Sequence, residues 1–535
     1  MSRLLGFAAA MLAAAGIVAP GVQAATTVQV LGAGSSAMFD TMGFAAWFNL
    51  AGSGAQHYTA QGSCPTLGFC AAIHDLRSSG IPVQRGSLWV VWSADESRVW
   101  AYLGADSVAG IRAFFATPRA ALKIDPSLQT TQGRNLIPVS LWGRDAAALP
   151  SAVYNALNNA AFTTAFSDVR PEDAKAAQNR ACGPLNTSNY DGLGYCSSKN
   201  QAIGTPIRSS FSSAQATPVV FNLAGADPIS GLQIHPYTAI NVGASPIIFF
   251  GNRTPGSSLA TITTHDLSLA NVQALFTQGE DCDASLLGGS GGITIVQNEP
   301  LSGAMVTAEF TNFRLTVNGF TFSQEFGVNP AESGGNPLNL PCGPGRRTRA
   351  IGTSEMVNTA VPNTPGALGY AVYTASNFSR LVNNPNFLYF TLEGVDPICP
   401  AYGNGEINPF CGVPPHPHRN DNLRNGTYPS WTMLRVVTDT AGPNLINTQA
   451  LVTVAQNSVD CTTGDFVPAV AVSNNMPGCN VGPDPGLTLY RSHYSNPQFP
   501  SIPNNGLSGQ KESGSDVGGC IENVGPAPGI LNCRQ

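Results

Sequence analysis

The sequence predicts an α/β fold in which one small ligand is held between two lobes. Apolar strand-like runs alternate with helix-patterned segments along the chain, the order expected of α/β architectures. Near its start, the strand-like Val28-Gln29-Val30-Leu31 runs into Gly32-Ala33-Gly34-Ser35-Ser36 and then into a helical pattern. The same succession returns far downstream, where Ile293-Thr294-Ile295-Val296 leads to Ser302-Gly303 and a helical pattern over residues 305–313. A strand that ends in such a turn and opens a helix presents hydroxyls and free backbone N–H groups, which together attract an anion. Two such cradles, distant in the chain, suggest one ligand gripped from two sides.

In chain order, residues 1–24 join a basic residue, Arg3, to an apolar run over 4–19 and a small-residue cleavage site at Val22-Gln23-Ala24. That is the layout of a secretory signal. The apolar run is shorter than the roughly 20 residues a membrane span needs. The expected location is therefore the periplasm or the outside of the cell. Charged residues make up 11% of the chain, against about 25% in ordinary soluble proteins, while hydrophobic residues at 43% are ample for a core. A net charge of −6, opposed only by the short Arg346-Arg347-Thr348-Arg349 cluster, leaves no footprint for nucleic acid or an anionic membrane.

The 12 cysteines of an exported chain point to disulfides. Sequential pairing would join Cys64 with Cys70, Cys182 with Cys196, Cys399 with Cys411, Cys461 with Cys479 and Cys520 with Cys533, leaving Cys282 and Cys342 as a wider pair. Only Cys70 and His74 approach the spacing of a zinc module, which is half of what a metal site needs. No metal and no cofactor are expected.

The first helix continues over residues 44–50, and 56–61 reads as a second strand ending at Gly62-Ser63. Residues 87–93 and 99–103 form a hairpin around Asp95-Glu96, followed by a helix over 108–116. A strand is expected at 136–142, a helix at 149–161, and a short strand at 163–166 that ends in Ser167-Asp168 before Pro171-Glu172-Asp173 opens a helix. Further on, 431–438 and 445–455 both read as strands.

Together these turns resemble the periplasmic phosphate-binding proteins of ABC importers. Gly32-Ala33-Gly34-Ser35-Ser36, Gly62-Ser63, Phe166-Ser167-Asp168 and Ser302-Gly303 occur in that family's order. Residues 240–252 resemble its lobe-crossing strand, and Thr364-Pro365-Gly366-Ala367-Leu368-Gly369-Tyr370 its return strand. The resemblance covers residues 28 to about 377. It implies a type II periplasmic binding protein fold with hinge crossovers: 25–246 and 366–455 as a discontinuous first lobe, 247–365 as the second. Residues 456–535 remain as a disulfide-rich C-terminal extension rich in Cys, Pro and Gly. It also implies a phosphate or related oxyanion as ligand, contacted by Ser36 and the N–H of Ala37, by Ser63, and by Ser302 and Gly303. Asp168 would accept the proton of a bound hydrogen phosphate. The implied partner is the membrane subunit of an ABC importer, served by a monomer.

Two positions depart from the family. Its arginine, four residues before the serine of the Ser-Gly turn, falls on Asn298, which as a ligand residue could still hydrogen-bond a neutral or less charged oxyanion, and Ala304 stands where threonine is usual. Losing a charge-assisted hydrogen bond to an anion removes about 1.5–3 kcal/mol, and Arg170 or Arg253 could supply a substitute guanidinium. Each site residue also has an ordinary reading: Ser36 as a helix cap, Asp168 as the cap before Pro171, Ser302-Gly303 as a common turn. An enzyme is not expected. Gly288-Gly289-Ser290-Gly291-Gly292 leads into a strand, whereas a nucleophile elbow leads out of one. Ser508-Gly509-Gln510-Lys511 lacks the companion motifs of a penicillin-binding enzyme, and His416 and His418 share a proline-rich loop. The alternative function is a secreted or cell-surface structural or adhesion protein on the same scaffold, with a degenerate pocket.

Overall fold

The strand that carries the first turn, β1 (Thr27–Ser35), is buried without interruption from Val30 to Ser35. Unbroken burial of this kind belongs to a strand covered on both faces, as in a parallel sheet between helices. The computed structural model describes residues 25–60, 71–74, 83–130 except 117, 147–171 except 170, 236–276 and 282–298. It further describes 302–322 except 313–314 and 318–319, 340–398 except 351–352, 354–355, 379–380 and 382–383, 420–474 except 463, 481–492 except 488, 520–523 and 531–533.

Within these residues β1 belongs to a 15-stranded sheet. Its other strands are β2 (Gln56–Ala60), β3 (Ala71–His74), β4 (Val83–Trp92), β5 (Arg98–Ala105), β6 (Ala121–Ile124), β7 (Thr164–Ser167), β8 (Thr238–Asn252) and β9 (Thr294–Asn298). They continue with β10 (Leu340–Cys342), β11 (Gly345–Ala350), β12 (Ala367–Val372), β13 (Phe387–Tyr389), β14 (Trp431–Thr438) and β15 (Val467–Pro468). The order is β10-β11-β9-β12-β8-β14-β7-β1-β5-β4-β3-β6, with β13 and β15 also on β8, and β2 on β4. The helices that matter here are α1 (Phe39–Ala45), α2 (Ser107–Phe115), α3 (Ser151–Leu157), α4 (Leu269–Phe276), α5 (Gly303–Thr311), α6 (Ala375–Phe378) and α7 (Pro443–Ser458). The chain is thus mixed α/β around one large sheet, and no helix among the described residues is long and apolar enough to cross a membrane.

Two parallel groups stand out. β1 runs parallel to β5 on one side and β7 on the other. β9 runs parallel to β11 and β12. The long strand β8 links the groups: Thr238 to Pro246 pair with β14, and Ile247 to Gly251 with β12. It is the segment that resembles a lobe crossing. One face of β1 packs Leu31 and Ala33 against Ala113 of α2 and Val153 of α3, and the other packs Val30 with Met38 and Met42.

The neighbour of β1 is β5 rather than the second strand in sequence. β2 pairs antiparallel with β4, which pairs antiparallel with β5, so two strands stand between β2 and β1. The hairpin β4–β5 was legible, but its insertion beside β1 follows from pairing that local pattern does not encode.

Residues 445–455 are a correction: they lie in helix α7, not a strand. Val452, Thr453 and Val454 favour strands locally, yet Pro443 at the start of the helix is preorganised for it. Thr448, Leu451, Val452 and Ala455 are buried at helical spacing, while Ile446 is exposed. Burying that face against α1 and β8 outweighs local propensity, since a fully buried Leu or Val contributes about 1.5–3 kcal/mol.

Of the expected disulfides, Cys282–Cys342 is present, and Cys461 is disulfide-bonded. Backbone register sets Cys520 opposite Cys533 in a small antiparallel sheet. Cys64, Cys70, Cys182, Cys196, Cys399, Cys411 and Cys479 lie outside the described residues, as do the signal segment and the strand expected at 136–142. β15 pairs with the sheet, with Val467 opposite Ala244 of β8.

Candidate functional site

The carboxyl ends of β1, β5 and β7 lie side by side and each delivers small polar residues. In open α/β sheets the crevice beyond such ends is where ligands bind. Gly34 has φ of +142°, and a side chain there would sit 1.8 Å from the Phe166 carbonyl oxygen. Glycine is therefore required for β1 to run this close to β7. The helix cap beyond it is Ser35: its Oγ accepts from the N–H of Ala37 at 3.3 Å. Ser36 follows as the half-buried first residue of the turn. The Ala37 N–H assigned to the anion by resemblance is thus occupied by Ser35. The Ser35 carbonyl accepts from the Tyr102 hydroxyl.

At the end of β7, Asp168 is buried. Its Oδ1 accepts from Ser107 Oγ, and its own N–H donates to that oxygen at 3.4 Å. Ser107 is the first residue of α2, directly beyond β5. Ser63, the hydroxyl that the resemblance names, lies outside the described residues. Burial pushes the Asp168 carboxyl up to about 6. The Ser107 hydrogen bond opposes the rise, as does the charge of Arg435, while Asp106 adds to it.

From the second parallel group comes Ser302-Gly303, which opens α5 after β9. Ser302 is buried at the cap position, without a side-chain capping bond. Gly303 stands against Asp168: a β-carbon there would fall 1.6 Å from Oδ1 and 2.7 Å from Oδ2. Residues predicted from two separate turns are thus brought together, Asp168 with Gly303. Helix α5 is also tied to β14, since Thr307 and Thr432 hydroxyls lie 3.3 Å apart.

Asn298 ends β9 with no exposure at all. Its Nδ2 donates to the Tyr370 carbonyl at 3.0 Å, extending the β9–β12 ladder through a side chain. Its Oδ1 has no partner among the described residues. Of the two arginines considered as substitutes, Arg253 donates through Nε to the Pro385 carbonyl at 2.9 Å on an exposed loop, and Arg170 lies outside the described residues.

Two residues of this site escaped the sequence reading. Ser107 had a signal, because an apolar strand over 99–103 followed by Asp106-Ser107 and a helix repeats the pattern of the other two turns. Arg435 had a fainter one, a lone charge inside the apolar run Met433-Leu434-Arg435-Val436-Val437.

No family model and no curated protein matches this sequence. Solved structures do. The phosphate-binding protein from Stenotrophomonas maltophilia is 14% identical, with 79% of this chain and 83% of that chain covered and a TM-score of 0.33. PstS from Borrelia burgdorferi is 10% identical over 68% of this chain and 85% of that one, with a TM-score of 0.28. An ABC-type phosphate transport receptor from Vibrio cholerae is 14% identical over 40% and 66%, with a TM-score of 0.26.

Proposed function

We propose that this chain is an exported solute-binding protein that closes two lobes on a small, proton-carrying oxyanion, with phosphate as the first candidate. The observation that carries the reading is the meeting of Asp168, beyond β7, with Gly303 at the N-terminus of α5. A helix N-terminus attracts negative charge, and a buried carboxylate beside it is an acceptor. An oxyanion that keeps one proton satisfies both: its oxygens face the N–H groups and its O–H donates to Asp168. A fully deprotonated anion would be repelled by the carboxylate.

In this reading Ser36, Ser302 and Gly303 supply donors, Ser107 holds the Asp168 carboxylate, and Ser63 remains a further candidate. The lobes are 25–246 with 366–455, and 247–365. The change of β8 from β14 to β12 at its midpoint supports a crossover there. Delivery to the membrane subunit of an ABC importer by a monomer is the corresponding cellular role. The mechanism is binding and closure; no bond is made or broken.

The test is thermal denaturation of the mature chain with and without millimolar phosphate, sulfate, arsenate and molybdate. Ligand at 100 times its dissociation constant stabilises the fold by about 2.7 kcal/mol. A rise in Tm with phosphate that Asp168→Ala abolishes is the expected result. No rise with any of the four overturns the reading in favour of a structural or adhesive protein with a degenerate pocket.

A further inference from the structure

The position that the resemblance reserves for an arginine is filled by Asn298, whose amide is committed to the sheet. A site that buries Asp168 still needs positive charge near it, because a carboxylate removed from water is costly unless compensated. Resting on the oxyanion reading, we infer that Arg435 is the positioning cation of this site, holding the Asp168 carboxylate charged and proton-accepting from within the sheet rather than by touching the ligand.

The strand geometry brings Arg435 to this place. Arg435 pairs in register with Ser167, the residue before Asp168, and Val436 pairs with Phe166. Phe166 and Val436 both belong to the core on the α1 side of the sheet, where Phe166 packs on Tyr102 with ring centroids 4.6 Å apart. Alternation along a strand sends the next residue to the opposite face. Ser167 and Arg435 therefore share the face on which α2 lies, and α2 begins with Ser107, the hydrogen-bond partner of Asp168.

The β14–β8 ladder slips between Leu434 and Arg435. Such irregularities re-aim a side chain and are frequent beside functional sites. Arg435 is among the largest fully buried side chains of the protein, 1% exposed.

The charged and titratable groups acting around Asp168 can be named element by element. β14 contributes Arg435, the β5–α2 junction contributes Asp106, and β5 contributes Tyr102, whose hydroxyl is held by the Ser35 carbonyl. The first turn of α5, Gly303-Ala304-Met305-Val306, carries no charge. Among the described residues Arg435 is the positive member of this set, and Asp106 acts against it.

Two measurements test the inference. The first needs no ligand: urea stability of the mature protein, Arg435→Met, Asp168→Asn and the double variant, compared as a cycle. Arg435→Met should lower the folding constant at least tenfold more in the wild-type background than in Asp168→Asn, and the double variant should recover much of the loss. The second is the pH profile of phosphate affinity. Removing the cation should move the acid limb of binding up by about one pH unit, while Arg435→Lys should restore the wild-type midpoint.

Additive losses in the cycle, or an acid limb unmoved in Arg435→Met, overturn the inference. Rescue of an unfolded Arg435→Met by Asp168→Asn supports it; failure of both to fold assigns Arg435 a structural role and overturns it. If the wild type binds no phosphate, the oxyanion reading falls, while the ligand-free cycle still decides whether Arg435 and Asp168 act as a pair.

Discussion

Asp168 lies so close to Gly303 that a methyl group at position 303 would overlap its carboxylate, at 1.6 Å from Oδ1. Gly303→Ala must therefore displace Asp168 or the start of α5. The expected result is a lower Tm and loss of any phosphate-induced rise. Adding Asp168→Gly to Gly303→Ala removes the overlapping atoms, so the pair should recover most of the lost stability, a non-additivity expected only of residues in contact. Strictly additive losses would show that the two positions do not meet.

Much of this arrangement was legible because each piece is local. A strand, a Ser or Asp at its end and a helix beyond it announce themselves in a dozen residues, and β1, β7, β9 and their turns fall where pattern puts them. Pairing is not local. Nothing in residues 83–105 says that their hairpin slots in beside β1 and moves Gln56–Ala60 outward, the arrangement that brings Ser107, just beyond β5, to the Asp168 carboxylate. Helix α7 is masked for the opposite reason: local propensity at Val452-Thr453-Val454 favours a strand, and tertiary burial of Leu451 and Ala455 overrides it. Arg435 reaches the site only through register with β7.

The helix assignment of α7 makes its own prediction. Leu451 is fully buried and Ile446 is 64% exposed. Leu451→Ala should cost about 2–5 kcal/mol, whereas Ile446→Glu should change stability by no more than about 0.5 kcal/mol. Were the segment a strand, residues at even spacing would respond alike, so urea titration of the Val452 and Val454 alanine variants separates the two: Val452 is buried and Val454 only partly so.

The Cys282–Cys342 disulfide closes a loop with a sequence separation of 60 and has a Cα–Cα distance of 5.3 Å. In the chain-entropy account, a loop of this size contributes about 4 kcal/mol. Replacing both cysteines by alanine should lower stability by roughly that amount, measured by denaturant unfolding under oxidising conditions so that the other disulfides stay intact. A loss under about 1 kcal/mol would mean that β10 and the segment before β9 are held together without it.

An arginine at position 298 should harm this protein. Asn298 is wholly buried, and its Nδ2 donates to Tyr370. Asn298→Arg removes that ladder bond and adds a large cation where no water reaches, a change in the class that costs several kcal/mol unless a partner compensates. Asn298→Arg is therefore expected to lower Tm sharply, with Asn298→Ala intermediate. A variant that instead keeps its Tm and gains phosphate affinity would show that position 298 opens on the ligand.

Three carboxyls give stability a pH dependence of definite sign. Burial, reinforced by the charge of Asp465, pushes Asp40 from 3.8 to about 7, against a hydrogen bond from Ser376. Asp465 is held beside it, accepting from the Thr41 hydroxyl at 2.8 Å and the Ala375 N–H at 2.9 Å, so it ties α1 to α6. Burial likewise raises Asp168 to about 6 and, with the hydrogen bond that protonated Asp460 donates to the Asp484 carboxylate, Asp460 to about 7.

An acid whose folded-state value is raised binds its proton more tightly when folded, so its stabilising contribution is complete below 3.8 and lost as pH climbs through the folded value. Urea midpoints should accordingly fall between about pH 4 and pH 7 and level off above it. Asp40→Asn keeps the uncharged shape and removes the ionisation. It should shrink that fall and raise the midpoint at pH 8, with little effect at pH 4. A profile that rises over this interval, or an Asp40→Asn slope equal to the wild type, would show that Asp40 is not held in its neutral form beside Asp465.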